Sequence, residues 1–272
     1  MIDLNNHLLG DDGSGIGIER ALACCEAAWR DGVEEIVVTC RLQGHSEMQA
    51  EALIQAFENR LAALRQAVES SLVLNDQRSA SRPFNQLSLA GGYEWTITAD
   101  LPERIHRFPV SPGINRTGYL LLSLPSLKSE PETSRVIDQL RADGFTPIMA
   151  HPECSRALRR DQSLIRRLTE AGALIQLDAT SLLGGYGKAV EAFALELLKS
   201  NQVRFMATRT DHRSRREVRL SEACQRAARV IGRQAAHALV TVNPQAVLAQ
   251  GEVIPTPTRQ QPWPALETAA SS

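Results

Sequence analysis

The sequence predicts a single α/β domain whose parallel strands form a barrel or a barrel-like sheet. The chain has 272 residues, which is enough to bury a sizeable core, and α/β barrels of this length commonly remain one domain. Short apolar runs alternate with amphipathic segments, as in repeated βα units. Polar clusters follow several of the apolar runs, at the positions where barrels carry their functional side chains.

The predicted strands are short apolar runs, several of them rich in β-branched residues. The run 35–39, Glu-Ile-Val-Val-Thr, is typical of a buried strand. The full set of candidate strands comprises residues 1–4, 35–39, 71–74, 87–90, 119–124, 146–150, 173–177 and 203–207.

Amphipathic segments between these runs predict helices. The longest covers residues 46–70, and its apolar side chains recur at the spacing of one helix face, which predicts core packing. These side chains are Leu53, Phe57, Leu61, Leu64 and Val68. The other predicted helices are residues 15–30, 132–142, 162–171, 188–200 and 218–231. Gly144 and Gly172 each follow a helical run, where glycine suits a left-handed C-terminal cap.

Composition limits the functional classes. The formal net charge of −1 gives no overall attraction to nucleic acid, and basic runs lack the interleaved aromatic residues of a single-strand binder. The N-terminus lacks a secretory signal, and no apolar stretch approaches the ~20 residues that cross a bilayer. The five cysteines show no CxxC spacing, which favours free thiols. We therefore expect a cytoplasmic protein with no nucleic-acid partner and no direct membrane insertion.

Three polar clusters at predicted strand ends have the composition of a metal site. Asp3-x-Asn5-x-His7 closes the first strand, where alternation would turn the three side chains toward one site. Glu94 follows the run 87–90, and His151 follows the run 146–150. Histidine nitrogens and carboxylate oxygens suit zinc, manganese and iron. Each cluster alone is weak evidence, but their order at successive strand ends is stronger.

These residues resemble a known family, the manganese-dependent bacterial protein-tyrosine phosphatases of capsular and exopolysaccharide operons, in the polymerase and histidinol phosphatase (PHP) superfamily. The resemblance rests mainly on residues 1–13, 91–94, 146–153, 176–188 and 219–223. It implies a distorted (β/α)7 barrel of the PHP type in residues 1–254. Residues 255–272, which include four prolines from Pro255 to Pro264, are expected to form a mobile tail.

The resemblance also shows where this chain departs from the family motif. His7, Glu94 and His151 match metal ligands, whereas Asn5 replaces the first histidine of the family's D-x-H-x-H motif. A histidine is also expected where Arg41 stands, and the late S-D-x-H motif is replaced by Arg209 and Asp211. The pair Asp211-His212 lies close enough in sequence that a local slip could restore one ligand.

The two arginines change the charge of the implied metal site. Arginine has no lone pair for coordination, and its fixed positive charge repels cations. A multi-metal cluster is therefore disfavoured, while one ion held by the three matching ligands remains an alternative. Arg41 and Arg209 could instead bind an anion such as phosphate. The competing interpretation, which we favour, is that both are solvated or paired with Asp11, Asp12 or Glu153.

The resemblance implies a metal-dependent phosphotyrosine phosphatase that regulates exopolysaccharide or capsule synthesis, and the departures from the motif predict that its hydrolysis is weak or lost. The alternatives are an active phosphatase with a reduced metal site and a non-catalytic protein that docks a kinase or binds an anion. An inert structural subunit is a third possibility. The implied cofactor is manganese, another divalent metal, or none. The implied partner is a bacterial tyrosine kinase of polysaccharide export, and the resemblance also allows a homo-oligomer.

Overall fold

A sheet of seven parallel strands organises the protein. The computed structural model describes residues 1–10, 17–42, 47–71, 83–108, 110–124, 130–210 and 219–253. Within these ranges the strands follow one another across the sheet in chain order, each parallel to its neighbour. They are β1 (Ile2–Asn6), β2 (Glu35–Leu42), β3 (Ser88–Thr96), β4 (Tyr119–Ser123), β5 (Thr146–Ala150), β6 (Leu174–Asp178) and β7 (Val203–Ala207). The predicted α/β barrel architecture is confirmed.

Helices connect the strands and pack around the sheet. They are α1 (Ile18–Arg30), α2 (Glu47–Glu69), α3 (Leu101–His106), α4 (Glu130–Ala142), α5 (Arg156–Arg160), α6 (Ser163–Glu170), α7 (Ala179–Leu182), α8 (Lys188–Lys199), α9 (Leu220–Ile231), α10 (Arg233–Val240) and α11 (Val242–Leu248). All six predicted helices are present with small shifts at their ends, whereas the short helices α3, α5 and α7 and the closing pair α10 and α11 were not predicted. None of the described helices combines the length and apolar character needed to cross a membrane.

The barrel is nearly closed by polar contacts between its first and last strands. Asp3 in β1 accepts hydrogen bonds from the backbone N–H of Thr208 at 3.1 Å and from its hydroxyl at 2.6 Å. The backbone N–H of His7 donates to the carbonyl of Thr210 at 2.9 Å. These bonds join β1 to the residues after β7. Because all seven strands are parallel, their carboxyl ends lie at one mouth of the barrel.

Two apolar layers form the core. The larger layer lies between the sheet and the helices, and the smaller one fills the barrel interior with one or two buried side chains from six of the seven strands. On β4, for example, Leu121 belongs to the inner layer while its neighbours Leu120 and Leu122 belong to the outer one. This alternation is the period of a strand that is buried on both faces.

The inward-facing rows change from apolar to polar toward the carboxyl ends of the strands. On β2 the row that begins with Val37 continues to Thr39 and Arg41, and on β3 the row from Ala90 leads to Glu94. Side chains at alternate positions share a face, so each row carries its polar end to the same mouth. The polar site therefore lies next to the apolar side chains that fill the barrel interior.

Some predicted boundaries differ from the structure. Arg41 and Glu94 were expected in loops after their strands, but β2 and β3 extend to include both residues. The predicted strand 71–74 lies outside the described residues except for Ser71, which follows α2 without forming a strand. Residues 255–272, predicted as a mobile tail, also lie outside the described part of the chain.

Candidate functional site

Arg41, Glu94 and His7 form the centre of the polar mouth. Arg41 and Glu94 are register partners on adjacent strands, and Arg41 Nε donates to Glu94 Oε1 at 3.0 Å. Arg41 Nη2 also lies 3.1 Å from His7 Nε2, which in turn lies 3.2 Å from Glu94 Oε2. The guanidinium therefore contacts two of the three residues that the sequence assigns to a metal.

Asn5 extends this cluster toward the opposite strands. Its Nδ2 donates toward Glu94 Oε2 and Gln176 Oε1, each at 3.3 Å, and its Oδ1 accepts from the Thr39 hydroxyl at 2.8 Å. Asn5 thus uses its amide to link neighbouring polar side chains. All four residues are buried, so the network is held in a fixed arrangement.

The protonation of His7 decides how its ring binds its neighbours. Because the Thr39 hydroxyl donates to Asn5, it accepts from His7 Nδ1 at 3.4 Å. In the neutral ring Nε2 then accepts from Arg41, and in the doubly protonated ring Nε2 donates to Glu94. In both states Nε2 is occupied, so a metal ion would have to displace either a guanidinium or a proton.

Glu94 is a carboxylate that its surroundings keep charged. It is fully buried, and burial alone works to raise its pKa. The charge of His7, the hydrogen bond from His7, and the charge of Arg41 act in the opposite direction and hold the pKa well below its usual range. The buried negative charge of Glu94 is therefore neutralised by side chains of this protein.

His151 lies at the mouth in an unusual backbone conformation. It follows β5 with φ of 42° and ψ of 49°, the left-handed region, which non-glycine residues rarely adopt. Burial, followed by the charge of Arg209, lowers its pKa to about 3; the charge of Glu94 opposes this shift, and the charges of His7 and Arg41 add to it. The ring is therefore neutral at physiological pH. Its Nδ1 has no hydrogen-bond partner among the described residues.

Arg209 lies on the other side of the mouth and also has a left-handed backbone, with φ of 49°. Its Nη1 is 3.9 Å from Asp178 Oδ2, while its Nε is buried with no hydrogen-bond partner among the described residues. Gln176 Nε2 is a second buried donor in the same state. Arg209 Nε, Gln176 Nε2 and the neutral imidazole of His151 can thus each form a further hydrogen bond.

A buried acidic residue contacts the backbone of Asp178. Glu153 is fully buried, and its Oε1 accepts from the backbone N–H of Asp178 at 2.9 Å. Burial, together with the nearby charge of Asp178, raises the pKa of Glu153 to about 8. Glu153 is therefore predominantly protonated at neutral pH, so it contributes little negative charge to the mouth.

Asp3 does not face the site, contrary to the expectation from simple alternation. The register of β1 against β2 shifts between Asp3 and Asn6, so the period of two is interrupted. Asp3 consequently points to the barrel seam and Thr208, whereas Asn5 and His7 point to Glu94. A local irregularity of this kind leaves no clear mark in the amino-acid pattern.

Cys154 and Arg160 have the C-x₅-R spacing of a loop in which a thiolate attacks phosphate, but the structure argues against that role. Residues 156–160 form the helix α5, and Arg160 is exposed. Burial raises the pKa of the Cys154 thiol to about 12, and its Sγ lies 3.6 Å from the Ser181 hydroxyl. A thiol in this state is a poor nucleophile.

The donor set fits the family's multi-metal centre poorly. Asn5 and Arg41 engage Glu94 and His7 through N–H donors, which are not ligands. In the part of the chain that the structure describes, no group of three or more His, Cys, Asp and Glu side chains has a metal-holding arrangement. A cation at this position would also meet the fixed positive charge of Arg41.

The structure brings together most residues that the sequence selected. Asn5, His7, Arg41 and Glu94 are in direct contact, and His151 interacts electrostatically with Glu94 and Arg209. Asp11, Asp12, Asp211 and His212 lie outside the described residues. The ion-pair partners seen for the two arginines, Glu94 and Asp178, were not among the residues expected to pair with them.

Several residues of this hydrogen-bond network were not predicted as site residues. Gln176 and Asp178 alternate on β6, and Thr39 and Arg41 alternate on β2. Polar residues at alternate positions near the end of an otherwise apolar strand were the available signal. Tyr186 lies in the stretch 176–188 that carries the family resemblance but was given no role in the site; its hydroxyl donates to Asp178 Oδ2 at 3.1 Å.

Comparison with known proteins agrees with this architecture. Residues 1–249 match the family described as "Capsular polysaccharide synthesis, CpsB/CapC". CapC of Staphylococcus aureus, provisionally named a tyrosine-protein phosphatase, is 30% identical over 210 residues, 76% of each chain. The tyrosine-protein phosphatase YwqE of Bacillus subtilis is 28% identical over 269 residues, 97% of this chain and 96% of YwqE.

A solved structure shows the same fold. It comes from crystallography of YwqE from Bacillus subtilis and CpsB from Streptococcus pneumoniae, described as metal-dependent tyrosine phosphatases. The TM-score is 0.75 at 24% identity, with 95% of this chain and 98% of that chain covered. The family match over nearly the whole described chain and the shared barrel lead to one conclusion: this chain belongs to the CpsB/CapC family of capsular polysaccharide synthesis.

Proposed function

We propose that this chain is a divergent tyrosine-phosphatase-like regulator of capsule or exopolysaccharide synthesis, which binds phosphotyrosine and hydrolyses it weakly or not at all. One observation carries the proposal. Arg41 donates to Glu94 and contacts His7 Nε2, so a guanidinium stands among the residues that would hold a metal ion.

Charge balance supports this reading. At short range, two unit charges in a protein interact with about 4 kcal/mol at an effective dielectric constant of about 20. Replacing a neutral histidine by Arg41 adds one positive charge beside the carboxylate of Glu94, which Arg41 already neutralises. A divalent ion would lose attraction from Glu94 and would meet repulsion from Arg41. Metal binding is therefore weakened twice by the same side chain.

The opposite side of the mouth supports anion binding. Arg209 Nε and Gln176 Nε2 are buried donors without a described partner, and a phosphate offers several strong acceptors. Burial is the largest cause of the lowered pKa of His151; the charges of Arg209, His7 and Arg41 add to it, and that of Glu94 opposes it. A phosphate group would find donors and favourable charge there without a bridging metal.

The role of each residue follows from its contacts. Arg209 and Gln176 bind the phosphate, the neutral His151 orients it, and Arg41 holds Glu94 in a charge-neutral pair. A phosphatase also requires an activated nucleophile. Glu94 is engaged by Arg41 and Asn5, and the thiol of Cys154 is not ionised. Neither group is available to activate water or to attack phosphorus.

An active phosphatase with a reduced site is the second candidate. His7 Nε2 and Glu94 Oε2 lie 3.2 Å apart, a separation that two ligands of one ion can adopt. With Arg41 displaced, His7, Glu94 and His151 would hold a single manganese or related ion, which supplies a metal-activated water when bound. This candidate requires the ion to outcompete the guanidinium.

Family membership supports a proposal for the cellular setting. We propose a bacterial tyrosine kinase of polysaccharide export as the partner, recognised through a phosphorylated tyrosine, and the cytoplasm as the location. Assembly into a homo-oligomer is compatible with this role. The chemistry of the mouth supports the phosphorylated part of this partner, because the donors that remain there suit a phosphate.

The test combines metal content, turnover and binding. The full chain is purified with manganese present, its metal stoichiometry is measured, and a phosphotyrosine peptide is offered with and without added Mn²⁺. We expect substoichiometric metal, little turnover, and saturable peptide binding that persists in a chelator. Stoichiometric manganese with turnover abolished by His151→Ala would establish the active phosphatase instead. Absence of both metal and peptide binding would indicate an inert structural subunit.

A further inference from the structure

Tyr186 is an exposed aromatic residue at the edge of the phosphate-binding mouth. Its relative exposure is 47%, and Val110 is the other large apolar residue that is exposed among the described residues. Its hydroxyl donates to Asp178 Oδ2 at 3.1 Å, and Arg209 Nη1 approaches the same oxygen at 3.9 Å. One buried carboxylate oxygen thus joins the aromatic ring to the arginine.

The turn that carries Tyr186 is held in place. Gly185 donates its backbone N–H to the Thr180 carbonyl at 2.9 Å, and a side chain at Gly185 would overlap the side chain of Thr180. Gly187 has φ of 91°, a conformation that favours glycine. Because both flanking residues are fixed by these constraints, the ring is presented in a defined position despite its exposure.

The anchoring carboxylate is itself fixed. Asp178 Oδ1 accepts from the backbone N–H of Thr180 at 2.7 Å, and its own N–H donates to Glu153 at 2.9 Å. Burial, followed by the charge of Asp178, raises the pKa of Tyr186 to about 12. The hydroxyl therefore remains a donor across the physiological range, and the ring stays attached to Asp178.

We infer that Tyr186 is a specificity-determining residue that selects aryl phosphates, such as phosphotyrosine, over alkyl phosphates, such as phosphoserine. The inference rests on the proposed phosphate site. It identifies the side chain that would recognise the organic group to which the phosphate is attached. With the phosphate on Arg209, an aromatic ring of the ligand would lie against the exposed ring of Tyr186. Edge-to-face or offset ring pairs are favourable beyond their buried area, and phosphoserine offers no such ring.

The hydroxyl and the ring of Tyr186 can be tested separately. Tyr186→Phe removes the hydrogen bond to Asp178 and keeps the ring, whereas Tyr186→Ala removes both. Calorimetric titration of the full chain with inorganic phosphate, phosphoserine and phosphotyrosine gives the three affinities. We expect Tyr186→Ala to lower the preference for phosphotyrosine over phosphoserine by about three- to tenfold, the range of an aromatic pair. Tyr186→Phe should retain most of the preference.

Controls separate this inference from the proposed function. Val110→Ala removes the other exposed apolar side chain and should change none of the affinities. If Tyr186→Ala weakens phosphoserine and phosphotyrosine equally, the residue acts only through Asp178 and the specificity role is overturned while the phosphate site stands. If inorganic phosphate shows no saturable binding to the wild-type protein, the phosphate site itself is refuted, and the inference with it.

Discussion

Arg41 and Glu94 face each other as register partners on adjacent parallel strands, joined by a 3.0 Å hydrogen bond from Nε to Oε1. Glu94 is fully buried, and the side chain of Arg41 is 22% exposed. The strand pairing fixes the guanidinium beside the carboxylate, so the charge at the barrel mouth is set by β-sheet geometry.

Breaking the pair should destabilise the fold. Arg41→Met leaves Glu94 buried without its arginine. We expect a loss of about 2–4 kcal/mol in the free energy of unfolding, below the ~3–5 kcal/mol of a fully buried pair because Arg41 is partly exposed. Adding Glu94→Gln should recover part of that loss, giving a coupling energy of about 1–3 kcal/mol. Urea denaturation measures the cycle. Arg166→Met, at an exposed i,i+4 pair with Glu170, serves as control and should have little effect. A coupling near zero would contradict the account.

Restoring family-like ligands should restore metal affinity. In the double variant Asn5→His and Arg41→His, the repelling charge is gone and two imidazoles are added. We expect Mn²⁺ affinity to rise at least about hundredfold, in keeping with the ~4 kcal/mol that one charge contact contributes. Calorimetry with Mn²⁺ provides the measurement. Arg41→Met is the matched control, because it removes the charge without adding a ligand. Equal affinities in wild type and double variant would show that Arg41 is not the obstacle.

Arg209 should carry much of the phosphate affinity. Its removal in Arg209→Ala deletes a charged donor, and hydrogen bonds to charged groups contribute about 1.5–3 kcal/mol, so binding should weaken by about ten- to a hundredfold. Phosphate titration in the presence of a chelator tests this. Arg229→Ala removes an equal charge from an exposed position on α9 and should leave binding unchanged. Equal losses of phosphate affinity in the two variants would show that net charge, and not a specific contact of Arg209, determines binding.

Burial of Glu153 predicts a pH dependence of stability. Its pKa rises from 4.5 to about 8 on folding, so the folded state holds a proton that the unfolded state releases. The contribution is fully present below about pH 4.5 and is lost as pH rises through about pH 8. We expect chemical denaturation to show stability falling across this window. Glu153→Gln should flatten the part between pH 6 and pH 8, where Asp3, with a pKa of about 6, has largely titrated. An unchanged slope in the variant would contradict the assignment.

Much of the fold could be predicted from the sequence because strands and long helices show a clear apolar periodicity. The strands 146–150 and 203–207 have the predicted bounds. Strand ends were harder to predict, because inward polar residues such as Arg41 and Glu94 resemble loop residues when only apolar runs are counted. Short helices such as α5 contain too few turns for a clear period.

The site could be predicted in part from the sequence, for a different reason. His7, Glu94 and His151 stand out by residue type, but the contacts among them depend on register and on irregularities. The shift in β1 turns Asp3 to the seam, and the left-handed backbone at His151 and Arg209 sets how these residues leave their strands. Such features arise from tertiary packing, so a sequence pattern could not assign Glu94 to Arg41 or Asp178 to Arg209.

The most direct test is a crystal structure of the wild-type protein grown with Mn²⁺ and inorganic phosphate, with anomalous diffraction measured for manganese. The account predicts phosphate at Arg209 and His151, the Arg41 guanidinium still bound to Glu94, and no anomalous peak among His7, Glu94 and His151. A full-occupancy manganese peak on those three residues, with Arg41 displaced from Glu94, would contradict it.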